Sequence, residues 1–138
     1  MKNPFEKVYL DSSLFKALVD QDDDFHPQAQ KIWHSLLSGE FKLITSNYIL
    51  DETYTLIRTK CGLDKVRKLR IILSEYADKV SLMRVTVQDE AQAWTWFWND
   101  WKHLSYTDCV SFALMKRLNL KRVATFDQHF SRAGFQIV

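Results

Sequence analysis

The chain has 138 residues and a formal net charge of +2, with 46% apolar and 26% charged residues. These values predict one globular domain, residues 1–138, and five Trp, five Tyr and nine Phe argue against extended disorder. Three Gly and two Pro are too few turn formers for a barrel of many short strands. Two Cys exclude a disulfide framework. With no signal-peptide pattern and no membrane-length apolar run, we expect a soluble, cytoplasmic protein.

Short apolar runs alternate with helical patterns along the chain. In chain order, the predicted elements begin with a strand at 8–10, a helix that is capped by Asp or Ser within 11–13 and carries its apolar repeat at 14–19, a helix at about 27–37 and a strand at 41–45. Helices at about 47–60 and 64–76, a weaker strand at 80–85, helices at 89–101 and 105–119, a strand at 122–125, a helical turn at 127–130 and a strand at 135–138 follow. This alternation predicts an α/β fold in which a mostly parallel sheet of about five strands is flanked by helices. Ligands bind such sheets beyond the carboxyl ends of the strands.

Four carboxylates are candidates for a site at that edge. Asp11 directly follows the first predicted strand, and Asp127 follows the fourth. Asp108 lies in the first turn of the helix before the fourth strand, and Glu52 lies on the helix after the second. Glu52 interrupts an apolar helix face beside Tyr48. A buried carboxylate costs several kcal/mol unless it is paired or binds a metal, so this position favours a functional group.

Each carboxylate also has a plainer explanation. Asp11 and Asp127 could cap the elements after their strands, Asp108 could interact with a helix N-terminus, and Glu52 could be partly exposed or paired with Arg. One acidic pocket explains all four together better than four separate explanations. Converging carboxylates need a balancing cation or protonation, and Mg²⁺ or Mn²⁺ prefers such oxygen ligands. The chemistry indicated is metal-dependent hydrolysis of a phosphate ester.

Four segments resemble the PIN domain family in their order and spacing, most closely its single-domain VapC-type toxins. The segments are VYLDSS at 8–13, ITSNYILDETYTLI at 44–57, SYTDCVSFALMKRLNL at 105–120 and ATFDQHF at 124–130. The resemblance spans nearly the whole chain. It implies a PIN-like three-layer sandwich and a Mg²⁺- or Mn²⁺-dependent endoribonuclease that leaves a 5′-phosphate and a 3′-hydroxyl.

The resemblance also implies roles for individual residues. The family's acidic positions fall on Asp11, Glu52, Asp108 and Asp127, so none of them is missing. It implies that the three aspartates coordinate the ion and that Glu52 binds it directly or through water. It places hydroxyl groups near the acids at Ser12 and Thr125. It implies no catalytic histidine, and we interpret His129 as a surface residue.

Basic and aromatic residues are the remaining candidates for RNA contact. Between residues 58 and 70, six basic residues accompany one Asp, a pattern that fits either a solvated helix face or a phosphate-binding surface. Spacing predicts that Trp94, Trp98 and Trp101 face the core and that Trp96 is exposed as a contact or base-stacking surface. The candidate contacts to the RNA backbone are Arg58, Lys60, Arg67, Lys116, Arg117, Lys121 and Arg122.

The resulting hypothesis is a ribonuclease toxin of a type II toxin–antitoxin pair, with an RNA substrate, a cognate antitoxin and a homodimeric assembly. One alternative is a PIN-type nuclease of RNA processing without a toxin role. A small overlapping upstream reading frame would favour the toxin over this alternative. A third hypothesis is a non-catalytic module that binds RNA or protein, which the complete set of four acids opposes and a lack of metal binding would favour.

Overall fold

The computed structural model describes residues 5–138, so the first four residues of the predicted domain lie outside the described part, and the single domain stays a prediction. The strands are β1 (Glu6–Leu10), β2 (Phe41–Ser46), β3 (Val80–Met83), β4 (Arg122–Ala124) and β5 (Gln136–Ile137). The helices are α1 (Ser12–Val19), α2 (His26–Ser38), α3 (Asn47–Cys61), α4 (Leu63–Glu75), α5 (Val87–Phe97), α6 (Tyr106–Arg117) and α7 (His129–Arg132). Within residues 5–138, none of these helices is long and apolar enough to cross a membrane.

The five strands form one sheet in the order β3-β2-β1-β4-β5, and every pairing is parallel. This confirms the predicted α/β fold with its helix-flanked sheet. The strand order reverses at β1, which pairs with β2 on one side and β4 on the other. Leu10 pairs with Ala124, and the backbone N–H of Asp11 donates to the Ala124 carbonyl at 3.2 Å. The carboxyl ends of β1 and β4 therefore lie side by side at the switch point where such sheets bind ligands.

The central strand β1 carries the middle of the core. Val8, Tyr9 and Leu10 are fully buried, as expected for a strand covered by helices on both faces. The buried Tyr9 hydroxyl donates to Ser46 at 3.0 Å and lies 2.9 Å from the Ser111 hydroxyl. These bonds satisfy the phenol inside the core, and they tie β1 to the end of β2 and to α6.

Local signals set the ends of the helices that carry the site. Ser46 caps α3, whose other end is Gly62 at φ +93°, a backbone conformation that favours glycine. Helix α5 begins at Val87 rather than at Asp89. The reason is a capping box, in which Thr86 is the N-cap and Asp89 occupies the third helical position.

The predicted orientation of the tryptophans on α5 is wrong. Trp98 is 79% exposed and Trp94 is 40% exposed, whereas Trp96 is half-buried and packs edge-on against Phe112 at 5.6 Å. The helix packs against α6 and buries Ala93, so the face that carries Ala93 is the one turned toward the core. Trp94 therefore lies on the outer face of α5, and Trp98, the residue that caps the end of the helix, is exposed as well.

Candidate active site

The structure brings the four predicted carboxylates to the carboxyl edge of the sheet. Asp11 is the N-cap of α1 directly after β1, and Asp127 follows the end of β4. Asp108 lies in the first turn of α6, and Glu52 lies in the second turn of α3. Burial raises the pKa of both Glu52 and Asp108, and the charges of Asp11 and Asp127 raise it further, as expected for four groups that share one site.

Side-chain hydroxyl groups bind only one of the two carboxylate oxygens of Asp11. Thr125 Oγ1 donates to Asp11 Oδ2 at 2.7 Å, and Ser13 Oγ donates to the same oxygen at 2.9 Å. These hydroxyls in turn accept the backbone N–H groups of Asp127 and Phe126, at 3.0 and 2.9 Å, so their protons are free to point at Asp11. Asp11 Oδ1 is buried without a hydrogen-bond partner among residues 5–138. An unpartnered carboxylate oxygen in an acidic site fits a bound cation.

Burial is the main cause of the raised pKa of Asp11, which is 2% exposed, although the hydroxyls of Thr125 and Ser13 act in the opposite direction. Sequence reasoning predicted Thr125 at this site and missed Ser13. The available signal was the position of Ser13, two residues after an aspartate that ends a strand. At that distance a serine can bond the side chain of the helix cap.

Ser12 binds a second carboxylate of the site, that of Glu52. Its hydroxyl donates to Glu52 Oε2 at 2.8 Å, a bond that joins the start of α1 to α3. The pKa of Glu52 is raised, first by burial and then by the charges of Asp11 and Asp127, while the Ser12 bond lowers it. Glu52 is therefore oriented by a hydrogen bond. No basic side chain is among the interactions that set its pKa.

Asp108 both caps the start of its helix and lies among the other acids, the two explanations that its sequence position allowed. Its Oδ2 accepts the Ser105 N–H at 3.2 Å, and its own N–H donates to Ser105 Oγ at 3.0 Å, so it belongs to a capping box. Burial, followed by the charges of Asp11 and Asp127, raises the pKa of Asp108 to about 8. A cap alone does not require this crowding of negative charge, which a bound cation would balance.

The interpretation of His129 as a surface residue is wrong. Its side chain is 17% exposed, and its Nδ1 lies 2.9 Å from Asp127 Oδ1 and 3.8 Å from Asp108 Oδ2. The cause is the tight turn after β4, in which the His129 N–H donates to Asp127 Oδ1 at 2.9 Å. Within residues 5–138, Asp108, Asp127 and His129 form the one group of three potential metal ligands whose donor atoms all lie within 4.8 Å of one another.

Two clefts lead to these side chains. One, of about 460 Å³, is lined by Glu52, Lys60 and Thr107, and the other, of about 470 Å³, is lined by Ser12, Asp127 and His129 among others. Leu56 lines both clefts, so they adjoin at this residue. At the mouth of the second cleft, the 45% exposed ring of Phe25 stacks on Phe126 with centroids 4.5 Å apart. Glu52 and Asp127 are therefore accessible from these clefts, whereas Asp11 and Asp108 line neither cleft and are buried.

The structure separates the predicted basic contacts. Lys60 lines the cleft of Glu52, whereas Arg58, two residues earlier on α3, is exposed and does not line it. Arg67 is exposed on α4, where it pairs with Asp64 at 2.6 Å. Sequence order could not distinguish these positions, because a helix distributes neighbouring residues around its axis.

The other four basic candidates lie away from the acids. Lys121 and Arg122 lie at the amino end of β4, and Arg122 pairs with Glu6. Lys116 and Arg117 lie in the last turn of α6, about 12 Å along the helix from Asp108. Lys116 Nζ is 5.4 Å from the centre of the Trp96 ring. Arg117 binds the buried carboxylate of Asp89 through two bonds of 2.8 and 2.9 Å. Of the predicted RNA contacts, the structure therefore favours those on the side of the molecule where Lys60 lines the cleft of Glu52.

Known proteins are similar to this chain in both sequence and fold. It is 35% identical over 130 residues to the protein named 23S rRNA-specific endonuclease VapC20 of Mycobacterium tuberculosis, a match that covers 93% of this chain and 95% of that protein. The crystal structure of that VapC20, described as a sarcin–ricin loop cleaving toxin, aligns with a TM-score of 0.81 and 31% identity over 93% of this chain and 95% of the other.

A more distant likeness concerns the fold alone. VapBC2 from Rickettsia felis, solved with a DNA fragment from its promoter, aligns with a TM-score of 0.70 at 13% identity over 96% of this chain and 97% of the other.

The sequence model of the PIN domain matches residues 8–136, a range that begins within β1 and ends at the first residue of β5. The chain belongs to the PIN domain family.

Proposed function

We propose that this chain is a divalent-metal-dependent endoribonuclease, built as a single domain, and the toxin of a type II toxin–antitoxin pair. The observation that carries the proposal is the unpartnered, buried Oδ1 of Asp11 in a site with Glu52, Asp108 and Asp127. The similarity to a protein named as a ribosomal RNA endonuclease supports the choice of RNA as substrate.

The residues fit a hard divalent cation such as Mg²⁺ or Mn²⁺. Carboxylate oxygens are the preferred ligands of these ions. Burial, and after it the charge of neighbouring carboxylates, raises the pKa of Asp11, Glu52 and Asp108, and a bound cation would offset both effects. Asp11, Asp108 and Asp127 would hold the ion, and Glu52 would bind it directly or through water. A bound ion of this kind activates a water molecule and stabilises charge on a phosphoryl oxygen.

The surrounding side chains position the acids and the substrate. Thr125 and Ser13 fix the orientation of Asp11, and Ser12 fixes that of Glu52. Lys60 can neutralise an RNA phosphate in the cleft of Glu52. Phe25, exposed and already stacked on one face, offers its other face to an unpaired base.

We propose the sarcin–ricin loop of 23S rRNA as the first substrate, since it is what the VapC20 relative is described as cleaving. A looped RNA also suits the two adjoining clefts, because nucleotides in a loop can be spread over a surface whereas those of a duplex are stacked. We further propose that the active protein is a homodimer and that a small cognate antitoxin keeps it inactive.

The direct test is cleavage of an end-labelled sarcin–ricin loop hairpin by the purified protein, with Mg²⁺, with Mn²⁺ and with chelator. Asp108→Asn should abolish cleavage, and Asp78→Asn, at an exposed position outside the site, should leave it unchanged. We expect metal-dependent cleavage that yields a 5′-phosphate. Cleavage that persists in chelator or in Asp108→Asn would contradict the proposed mechanism. Metal binding without cleavage of this hairpin or of total ribosomal RNA would contradict the proposed substrate.

The toxin role needs a separate experiment. Expression of the chain should arrest growth, expression of Asp108→Asn should not, and co-expression of a small protein encoded directly upstream should restore growth. Cleavage of RNA in vitro without growth arrest would favour a nuclease of RNA processing.

A further inference from the structure

We infer that His129 is a nitrogen ligand of the divalent ion, which it binds through Nδ1 beside Asp108 and Asp127, and that this ligand makes the site prefer Mn²⁺ to Mg²⁺. The inference rests on the metal dependence of the proposed function. It adds to the four acids a ligand of a different chemical class.

The ring of His129 is held in the orientation that a ligand needs. Its Nε2 lies 2.8 Å from the backbone carbonyl of Lys102, and because a carbonyl oxygen only accepts, Nε2 is the donor. In the neutral ring, Nδ1 then carries the free electron pair on the side of Asp127 and Asp108. A backbone carbonyl that fixes the second ring nitrogen is the usual support of a metal-binding histidine.

Two more side chains restrict the ring. Trp101 lies nearly parallel to it, with ring centroids 6.3 Å apart and an angle of 12° between the planes. The Arg132 guanidinium lies 4.6 Å from the centre of the Trp101 ring, so the tryptophan is itself held in place. The ring of His129 therefore has little freedom to turn away from the acids.

The distances between donor atoms suit one ion. Adjacent ligands of an octahedral ion with bonds of about 2.1 Å lie about 3 Å apart. His129 Nδ1 is 2.9 Å from Asp127 Oδ1 and 3.8 Å from Asp108 Oδ2. All three donor atoms lie within 4.8 Å of one another, so small side-chain adjustments bring them to a common centre.

A simple hydrogen bond does not account for this contact. Although Nδ1 is 2.9 Å from Asp127 Oδ1, it has no hydrogen-bond partner among residues 5–138, so the close approach lacks the alignment of a hydrogen bond. A second buried atom without a partner, Oδ1 of the 2% exposed Asp11, belongs to the same site. A bound cation would give both of these unpartnered atoms a partner.

The chemistry of the ligands gives the selectivity. Mg²⁺ is bound almost entirely by oxygen, whereas Mn²⁺, a first-row transition metal ion, accepts an imidazole nitrogen beside oxygen ligands more readily than Mg²⁺ does. A site of carboxylates alone would discriminate weakly between the two ions. Replacement of the His129 nitrogen by the oxygen of Asn should therefore weaken Mn²⁺ binding far more than Mg²⁺ binding.

The decisive measurement is electron spin echo envelope modulation of the Mn²⁺-loaded full chain, which detects directly bound nitrogen without any assay of activity. We expect ¹⁴N modulation in the wild type, and its change to a ¹⁵N pattern when only histidine is ¹⁵N-labelled. This readout needs no variant. The modulation should be absent in His129→Asn and present in His34→Asn, a matched change at an exposed position.

Calorimetric titration with each metal alone tests the selectivity. We expect the ratio of Mn²⁺ to Mg²⁺ affinity to fall about tenfold in His129→Asn and to stay constant in His34→Asn. Bound Mn²⁺ without histidine nitrogen, or an unchanged ratio in His129→Asn, would overturn the inference while leaving the nuclease proposal intact. Absence of any Mn²⁺ or Mg²⁺ binding by the wild type would overturn both.

Discussion

Thr125 and Asp11 are joined by a 2.7 Å hydrogen bond between residues 114 positions apart in the chain. The bond connects the ends of the adjacent strands β4 and β1, and it uses Oδ2 of Asp11 so that Oδ1 remains free. The sheet topology therefore decides not only where this carboxylate lies but also which of its oxygens can bind a cation.

Replacement of Thr125 by Val should damage the site more than the fold. The change keeps the shape but removes one donor to a buried carboxylate, so we expect the free energy of unfolding to fall by about 1–2 kcal/mol. Metal affinity should fall as well, because Asp11 loses part of its orientation. Calorimetric metal titration and chemical denaturation measure the two effects. Thr125→Ser should restore both, and the exposed control Thr95→Val should change neither.

The stability of the metal-free protein should depend on pH in an unusual direction. The pKa of Asp108 is about 8 in the folded chain against an ordinary value of 3.8, and burial also raises the pKa of Asp11 and Glu52. Between these values the folded state binds more protons than the unfolded state, so the free energy of unfolding falls as pH rises. The slope is at most about 1.4 kcal/mol per pH unit for one group.

Urea denaturation in chelator, between about pH 5 and about pH 8, measures this slope. Saturating Mg²⁺ or Mn²⁺ should flatten it, because the ion replaces the protons. Stability of the metal-free protein that increases toward pH 8 would show that the acids do not crowd one another as the structure indicates.

Asp108→Asn should lose function while gaining stability. The amide keeps an oxygen for the Ser105 N–H but removes a charge that Asp11 and Asp127 repel. In chelator at about pH 8, we expect the free energy of unfolding to rise by about 1 kcal/mol or more. In the same variant Mn²⁺ affinity should fall by about tenfold or more. The exposed Asp78→Asn serves as the comparison, and a destabilised Asp108→Asn would indicate that the capping role outweighs the repulsion.

Lys60 and Lys121 provide a matched pair for the RNA surface. Lys60 lines the cleft of Glu52, whereas Lys121 lies at the opposite, amino end of β4. Lys60→Gln should weaken RNA binding and lower the slope of affinity against salt by about one ion, because one phosphate contact is lost. Lys121→Gln should leave that slope unchanged. Filter binding of the hairpin at several salt concentrations, with catalytically inactive protein, distinguishes them.

Arg117 should prove to be a structural residue. Burial of Asp89 acts to raise its pKa, but the hydrogen bonds and charge of Arg117, together with the hydrogen bonds of Thr86, lower the pKa of Asp89 overall. Arg117→Gln leaves this carboxylate, 2% exposed, without its charged partner, so we expect a loss of about 1–3 kcal/mol in the free energy of unfolding. The cleavage rate per folded molecule should stay constant. A lowered cleavage rate with an unchanged free energy of unfolding would indicate instead that Arg117 contacts RNA.

The pattern of short apolar strands and helices was sufficient to predict the parallel sheet. Strands such as β1 are buried on both faces and read as continuous apolar runs, and capping residues such as Ser46 and Ser105 mark the helix starts. That Asp11 and Asp127 meet was also predictable, because each follows the end of a strand and the carboxyl ends of parallel strands lie at one edge.

What only the tertiary structure decided is how each side chain is directed once the elements pack. The inward turn of His129 depends on the loop after β4 and on the carbonyl of Lys102. The exposure of Trp98 accompanies the burial of Ala93, which is the face of α5 that meets the core. Sequence periodicity gives the residues that share a helix face, but it does not say which face meets the core. Contacts between distant residues set that orientation, as they set the free oxygen of Asp11.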